Sequence, residues 1–488
     1  MVSISPQNRA IPVQNSSQRA VVLIQSIGLI LICLFAALYS GFDIQAESLI
    51  MPVCWLIVVL SAWSFWSWHR ITGTWFDPYT MFLAAVILFN GGLAFLAVLR
   101  LLDSDILGGL FSAKTLLTAL LAVAGGIAAL HWGALVSALR RIRQVASPRQ
   151  IHSLSSDTTT LNIIGWALLG ISIVPIVSNL YQALSVVTRE GYFALYQQEA
   201  GIGIQSGAQI LAGFFVTAVI FLFASHPHSK GYVFLTAFLI AAQFLILMIV
   251  GARYNAVAPL LAYAWVWHRC RKPLSAVVIL VSAIGMLALF SFVKDTRNTA
   301  IVDRTFDYVA ANPDESIQNP IASSVAEMGG SLQTVAYTID LVPSYRPYDY
   351  GVQYAYSLFT VFPNFFWAVH PSIAHGTPAA WLVQTVAPDV AAAGGGMGYS
   401  LIAESYLNFG YWGVPVVLLL LGYFYVRFVT WGAWSDDPAK IAVVAVFLSF
   451  FLIYARADST IVIRPLIWFV LLPYGLVLIL RKRVPGEL

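Results

Sequence analysis

Stretches of apolar residues near the ~20-residue length that carries a helix across a bilayer recur along the whole chain, separated by short polar turns. They predict about twelve spans, at 20–40, 48–68, 79–101, 115–138, 161–186, 206–225, 231–250, 255–267, 274–293, 412–430, 440–455 and 461–480. The eighth differs from the rest. At about 13 residues it falls below the usual spanning range, and it follows the turn Gly251-Ala252-Arg253-Tyr254-Asn255. A short helix opening at Arg253 predicts an N-terminus set below the membrane surface, where the helix dipole adds positive charge beside the arginine.

One long stretch, 294–411, breaks the series. It mixes charge (Lys294, Asp295, Arg297, Arg304, Asp307) with the aromatic and proline-rich run Tyr345-Arg346-Pro347-Tyr348-Asp349-Tyr350. Loops of this length are uncommon unless functional. Inside it, 354–369 is apolar but interrupted by Pro363 and Asn364, which reads as a helix lying on or dipping into one leaflet. Counting it as a span would invert everything after it. The resulting organisation is a polar tail (1–19), nine spans (20–293), a large loop with interfacial helices (294–411), three spans (412–480) and a basic tail (481–488).

Composition agrees. Hydrophobic residues make up 59% of the chain and charged residues 10%, against roughly a quarter charged in soluble proteins. The fold class is therefore an all-α polytopic membrane protein. The net charge of +4 is too small to point to nucleic acid. Its distribution is informative: Arg140, Arg141, Arg143, Arg149, Lys230, Arg269, Arg271, Lys272, Arg481, Lys482 and Arg483 fall in one alternate set of loops, while Asp43, Glu47, Asp103, Asp105, Glu190 and Glu199 fall in the other. By the positive-inside rule both termini are cytoplasmic and the long loop lies outside. The loop with Asp436, Asp437 and Lys440 is the exception, though acidic residues count little in this rule. Cys33, Cys54 and Cys270 form no disulfide framework and no zinc spacing. The first apolar run is too long for a signal-peptide core and reads as a retained helix.

The candidate chemistry lies at the outer ends of the spans. Arg253, Arg456 and Arg464 would flank one outward cavity if the eighth, eleventh and twelfth spans pack together. Guanidinium groups stay charged and bind phosphate oxygens bidentately, so a lipid pyrophosphate suits them. Against this stand snorkelling to the headgroups and, for Arg456, an ion pair with Asp458. In the segment 398–410, Glu404 and Asn408 share a helix face at i, i+4. A half-buried carboxylate has a raised pKa that suits a general base, and it equally suits a structural ion pair. Glu327, Asp340, His370 and His375 are further polar candidates, with His370 as base or donor set against a turn residue. Tyrosines and tryptophans of the loop could stack on sugar rings or form an interfacial belt. No metal-ligand spacing and no Asp-x-Asp pair occurs, so neither a metal nor another cofactor is expected.

Taken in order, several motifs resemble the Wzy-type O-antigen polymerases. They are Gly251-Ala252-Arg253; Glu327-Met328-Gly329-Gly330 with Gln333-Thr334 and Tyr337-Thr338; Phe362-Pro363-Asn364 with Trp367 and His370-Pro371; Gly398-Tyr399-Ser400 with the run from Ala403 to Gly410; and Tyr454-Ala455-Arg456. The resemblance covers roughly 240–465, and the joint order of the motifs carries it. It implies a GT-C-like membrane glycosyltransferase related in fold to O-antigen ligases. Such an enzyme works at the periplasmic face of the bacterial inner membrane and needs no metal. It would transfer a growing glycan from undecaprenyl pyrophosphate to a new lipid-linked repeat. The resemblance gives Arg253 and Arg456 the donor pyrophosphate, with Arg464 beside them. Glu404 becomes the candidate base, with His370 second, and Tyr254, Glu327, Tyr399, Tyr406 and Asn408 become supporting or glycan-binding residues. Membrane lipids, a chain-length regulator and a flippase of the same pathway are the expected partners. A ligase with the same donor, and a flippase or transporter of lipid-linked sugars, remain alternatives; the absence of an evident repeat between the two halves speaks against a transporter.

Overall fold

The computed structural model describes residues 16–41, 45–102, 105–145, 155–192, 194–197, 204–296, 319–364 and 367–483. The charged loop residues Arg297, Arg304 and Asp307 lie outside them. Helices follow in the order α1 (Ser16–Gly41), α2 (Ala46–Thr72), α3 (Pro78–Val98), α4 (Ala113–Val145), α5 (Ser155–Glu190), α6 (Ile204–Ser225), α7 (Lys230–Val250), α8 (Arg253–Cys270) and α9 (Ala276–Thr296). Six shorter helices come next: α10 (Pro320–Gly329), α11 (Ser331–Leu341), α12 (Val352–Phe359), α13 (Pro371–His375), α14 (Pro378–Val386) and α15 (Pro388–Ala392). The chain ends with α16 (Leu401–Ala433), α17 (Pro438–Phe451), α18 (Thr460–Pro465) and α19 (Leu472–Arg483). No strand occurs among the described residues.

Eleven helical stretches among the described residues are long and apolar enough to cross a membrane. The remaining predicted span, 255–267, corresponds to α8, which has 18 residues rather than about 13. Its apolar pattern ends early because His268 and Arg269 occupy the last turn, so hydropathy alone shortens it. Two further expectations change. The predicted tenth span, 412–430, is the later part of α16, which begins at Leu401. The apolar stretch 354–369 forms no single interfacial helix: α12 covers Val352–Phe359, and Pro363 and Asn364 fall in the turn beyond it.

Capping residues set several span ends. The Asp77 carboxylate accepts from the N–H groups of Tyr79 and Thr80 at 2.9 and 3.1 Å, with Pro78 at the first helical position of α3. Burial pushes this carboxyl above its ordinary range, against those hydrogen bonds and one from Trp68. Gly251 closes α7 in the left-handed conformation, φ 95°, and the next N–H groups return to the carbonyl of Leu247.

The chain divides into two units. The first comprises Met1–His152, Val325–Gly351 and Tyr399–Trp434. Its centre is the crossing of α4 and α16, where the backbones meet through glycine. A Cβ on Gly133 would lie 2.1 Å from the carbonyl oxygen of Leu419, and one on Gly422 would lie 2.0 Å from that of Leu130. Lipid supplies no hydrophobic drive between helices, so such small-residue contacts hold membrane bundles together. A buried polar network accompanies the crossing: His131 bonds Ser67 at 2.7 Å through Nε2 and the Tyr79 hydroxyl at 3.0 Å through Nδ1.

The second unit comprises Ser153–Ser324, Val352–Gly398 and Ser435–Leu488. At one end of it Arg481 forks onto the Asp437 carboxylate at 2.9 and 3.0 Å, and Arg269 approaches Asp436 at 3.9 Å. The acidic loop that broke the charge alternation therefore sits with two arginines of the basic set, at the same end of the unit as the alternation requires. Asp437 also caps α17.

A test follows from the glycine crossing. Gly422→Ala is expected to destabilise the protein by about 1–3 kcal/mol or more, because backbone must move to admit the methyl group. Gly170→Ala, where an added Cβ meets nothing within 4 Å, should leave stability unchanged or slightly raised. Thermal unfolding of the two variants in detergent makes the comparison.

Candidate functional site

Every candidate arginine lies at or near a helix end in the second unit. Arg253 is the first residue of α8, directly after the Gly251 turn, and it is half-buried. Its Nη1 donates to the carbonyl of Phe290 at 2.8 Å, and the guanidinium lies 5.5 Å from the centroid of the same ring. A free snorkelling side chain would show neither contact. Tyr254 beside it reaches the Ser449 carbonyl at 3.5 Å.

Arg456 ends a 3-10 turn, Leu452–Arg456, that finishes the span begun by α17. Gly398 packs against it with φ +71°; an added Cβ would lie 3.4 Å from Arg456 Nη2 and 3.2 Å from its carbonyl oxygen. A side chain there would be strained by backbone conformation and would press on the guanidinium.

Asp458, expected to compete for Arg456, bonds elsewhere. It accepts from the Thr460 hydroxyl, from Thr460 N–H at 3.1 Å and from Ala379 N–H at 3.3 Å, tying α14 to the start of α18. Burial raises its carboxyl above the ordinary range, and these bonds hold it down.

Arg464, half-buried in α18, gives Nε to the carbonyl of Thr360, and Trp468 donates to that of Val361 at 2.8 Å. Ser357 and Ser459 bond at 2.7 Å. The turn after α12 is thus fastened to the last span, and Arg464 keeps further N–H donors beyond the one it uses.

His370 belongs to the same unit and is 4% exposed. Nε2 lies 3.0 Å from the carbonyl of Phe362, which can only accept, so Nε2 carries the proton. Nδ1 then accepts from the Ser372 hydroxyl at 2.7 Å and from Ser372 N–H at 3.3 Å, capping α13. Both nitrogens are engaged in holding the turn.

The other candidates belong to the first unit. Ser400 caps α16, accepting from Ile402 N–H at 3.0 Å and donating to Asn90 Oδ1 at 2.5 Å. Glu404 follows in the first turn of α16 and is fully buried, 0% exposed. Tyr399, also fully buried, meets Thr338 at 3.1 Å; the Thr338 proton goes to the Thr334 carbonyl at 2.7 Å, so the tyrosine donates. The motif residues Thr334 and Thr338 therefore meet the motif residue Tyr399 in space. Glu327 lies half-buried in α10.

Gly410, with φ 68° and ψ −167°, breaks α16 four residues after Tyr406 and strands main-chain carbonyls. The segment 349–351 recovers them: Asp349 N–H donates to Leu407 O at 3.0 Å and Tyr350 N–H to Asn408 O at 2.9 Å. Asn408 completes the joint, giving Nδ2 to the Glu404 carbonyl and accepting from Gly351 N–H, each at 2.9 Å. Its i, i+4 relation to Glu404 thus runs through the main chain. Tyr406 donates to Val342 O at 3.4 Å and lies edge-on to Tyr348, whose ring would touch any Cβ at Gly410. Asn408 and Tyr406 are residues of this joint.

Asn90 and Gly92 escaped the sequence reading. Gly92 crosses Gly329 backbone to backbone: a Cβ on Gly329 would come within 2.8 Å of Leu93 N. The available signal was a lone asparagine followed by two glycines inside an apolar span.

Taken together, these features define an all-α polytopic membrane protein whose polar residues gather where its helices break. A family model for the O-antigen polysaccharide polymerase Wzy matches residues 21–485, and the chain belongs to that family. The match extends well beyond the 240–465 region in which individual motifs are recognisable. The chain is therefore a multi-pass inner-membrane protein of O-antigen repeat-unit polymerisation. Comparison with curated proteins and with solved structures gives no match.

The joint at Gly410 yields a prediction. Asn408→Ala leaves Gly351 N–H without its acceptor and should cost about 1–3 kcal/mol of stability. Asn408→Asp, which keeps an acceptor, should cost less if it remains folded. Thermal unfolding in detergent distinguishes the two.

Proposed function

We propose that the chain polymerises undecaprenyl-pyrophosphate-linked repeat units at the periplasmic face, moving the growing glycan onto a new lipid-linked repeat. Family membership together with half-buried arginines at the helix breaks of one unit carries this reading. Both termini are then cytoplasmic.

In the proposed reaction the acceptor hydroxyl oxygen bonds to the anomeric carbon of the donor glycan. The bond from that carbon to the pyrophosphate breaks, and undecaprenyl pyrophosphate leaves with the electron pair. Arg253, Arg456 and Arg464 are assigned to the pyrophosphate, where guanidinium groups stabilise the charge that develops on the leaving oxygen. Three fixed cations supply the neutralisation a divalent ion would otherwise give, so the reaction proceeds without metal. Glu404 is assigned as the base that takes the hydroxyl proton. Glu327 and Tyr399 support its surroundings, and Tyr254 supports Arg253. His370, held at both nitrogens, is assigned to the turn it caps, which disfavours a ligase that depends on a histidine base. A chain-length regulator and a flippase are the proposed partners.

The test uses purified protein in nanodiscs with one synthetic undecaprenyl-pyrophosphate repeat and a chelator. A ladder of repeat multiples is expected. Arg253→Ala should reduce it about 10²–10³-fold, the scale for losing one donor to a developing charge. Glu404→Gln should reduce it about 10²–10⁴-fold, the scale of a general base. His370→Ala should lower stability more than turnover per folded molecule. A single unextended band from the correct repeat would sink the polymerase reading.

A further inference from the structure

Asn90 is a fully buried carboxamide in the second half of α3, inside an apolar span. A polar side chain at such depth is costly, so its partners show what it is for. Its Nδ2 donates to the Val86 carbonyl one turn back, at 3.1 Å. A carbonyl can only accept, which fixes the amide and leaves Oδ1 to face α16. There Oδ1 takes the Ser400 hydroxyl proton at 2.5 Å. With that proton committed, Ser400 Oγ accepts from Ile402 N–H at 3.0 Å, while the Ser400 carbonyl accepts from Glu404 N–H at 2.8 Å. Asn90, Ser400 and Glu404 are thus joined in series, and each of the three is 0% exposed.

The anchor is itself held in place. Gly91 and Gly92 follow it, and other helices press on both. A Cβ on Gly91 would lie 3.1 Å from Ile57 Cγ2 of α2, and one on Gly92 would lie 3.2 Å from the Val325 carbonyl oxygen of α10. All of these residues belong to the first unit. A hydrogen bond that only tied two spans together could fall anywhere along them. This one falls on the N-cap of α16, in the turn that carries the proposed base.

A base must lie within hydrogen-bond reach of the proton it takes. A fully buried carboxyl group gets its direction from the turn of helix that bears it, and the cap sets where that turn begins. We propose that Asn90 is a positioning residue for Glu404: it fixes the Ser400 hydroxyl, so that the cap aims the carboxyl group at the acceptor. The inference rests on the assignment of Glu404 as the base.

The experiment is a set of double-mutant cycles on purified protein in nanodiscs, with the synthetic undecaprenyl-pyrophosphate repeat and turnover expressed per folded molecule. Asn90→Leu removes the acceptor, and Ser400→Ala removes the hydroxyl between the two residues. Each should lower kcat about 10–10²-fold, the scale on which a small misplacement of a reacting group is felt, with KM unchanged. In a Glu404→Gln background the same substitutions should lower the residual rate no further, because residues that act through one another are not additive. A purely structural tie would instead impose the same proportional loss in both backgrounds.

Unchanged turnover in both single variants overturns the proposal, and so does an equal proportional loss with and without Glu404. Where Asn90→Leu does not fold, Ser400→Ala carries the test by itself. Where Glu404→Gln leaves no measurable rate, Glu404→Asp is the background, and the added loss should be smaller than in wild type. Glu404→Gln that turns over like wild type would instead refute the assignment of the base, and the positioning role with it.

Discussion

Backbone that leaves the helix inside a membrane must find its hydrogen bonds within the protein, and the placement of polar residues in this chain follows from that constraint. At Gly410 the helix turns out of register, and the carbonyls released are taken by Asp349 and Tyr350 N–H. Asn408 then serves both sides of the joint. The same logic holds at the Gly251 turn, the 3-10 turn Leu452–Arg456 and the π-turn Leu466–Leu471. Breaks are the places at depth where polar side chains and turned backbone satisfy each other, and Arg253, Arg456 and Arg464 all stand at or near them. Chemistry in such a protein collects where the regular structure fails.

This also explains what the sequence could reveal. Spans were legible because apolar length is a one-dimensional property, and Arg253 was legible because charge in an apolar run is costly. Span ends were less so. Hydropathy assigned Glu404 and Asn408 to a loop because they are polar, yet both lie in the helix that becomes the tenth predicted span, and α16 starts at Leu401. The final span read as one helix, because a hydropathy window does not register how Pro465 divides it into α, π and α segments. Asn90 was invisible for another reason: its partner Ser400 is far away in sequence, so only folding shows that the asparagine lies at the start of α16.

His370 and Glu404 show why residue type alone did not rank the candidates. As letters, a histidine beside proline and a glutamate in a glycine-flanked segment both suggest a base, and the sequence placed the glutamate ahead of the histidine. In space, His370 has a donor bond from one nitrogen and acceptor bonds at the other, which is how a neutral imidazole is saturated. Glu404 sits fully buried one turn into α16, where the N-terminal end of a helix favours a negative charge. The first environment engages both ring nitrogens in a turn; the second buries a carboxyl group at a helix start.

The arginines separate in a similar way by what fixes them. Arg481 and Arg346 fork onto the carboxylates of Asp437 and Asp349, and each such pair cancels a charge as it fixes a side chain. The contacts that fix Arg253 and Arg464 include bonds to main-chain carbonyls, of Phe290 and Thr360. A carbonyl dipole orients a guanidinium without supplying a counter-charge. Asp458, the carboxylate nearest in sequence to Arg456, is committed to Thr460 and Ala379. Burial penalises a guanidinium's charge, and such carbonyl contacts offset part of that cost. Under the proposed function the pyrophosphate is the anion these guanidinium groups receive, and their main-chain contacts hold them in position for it.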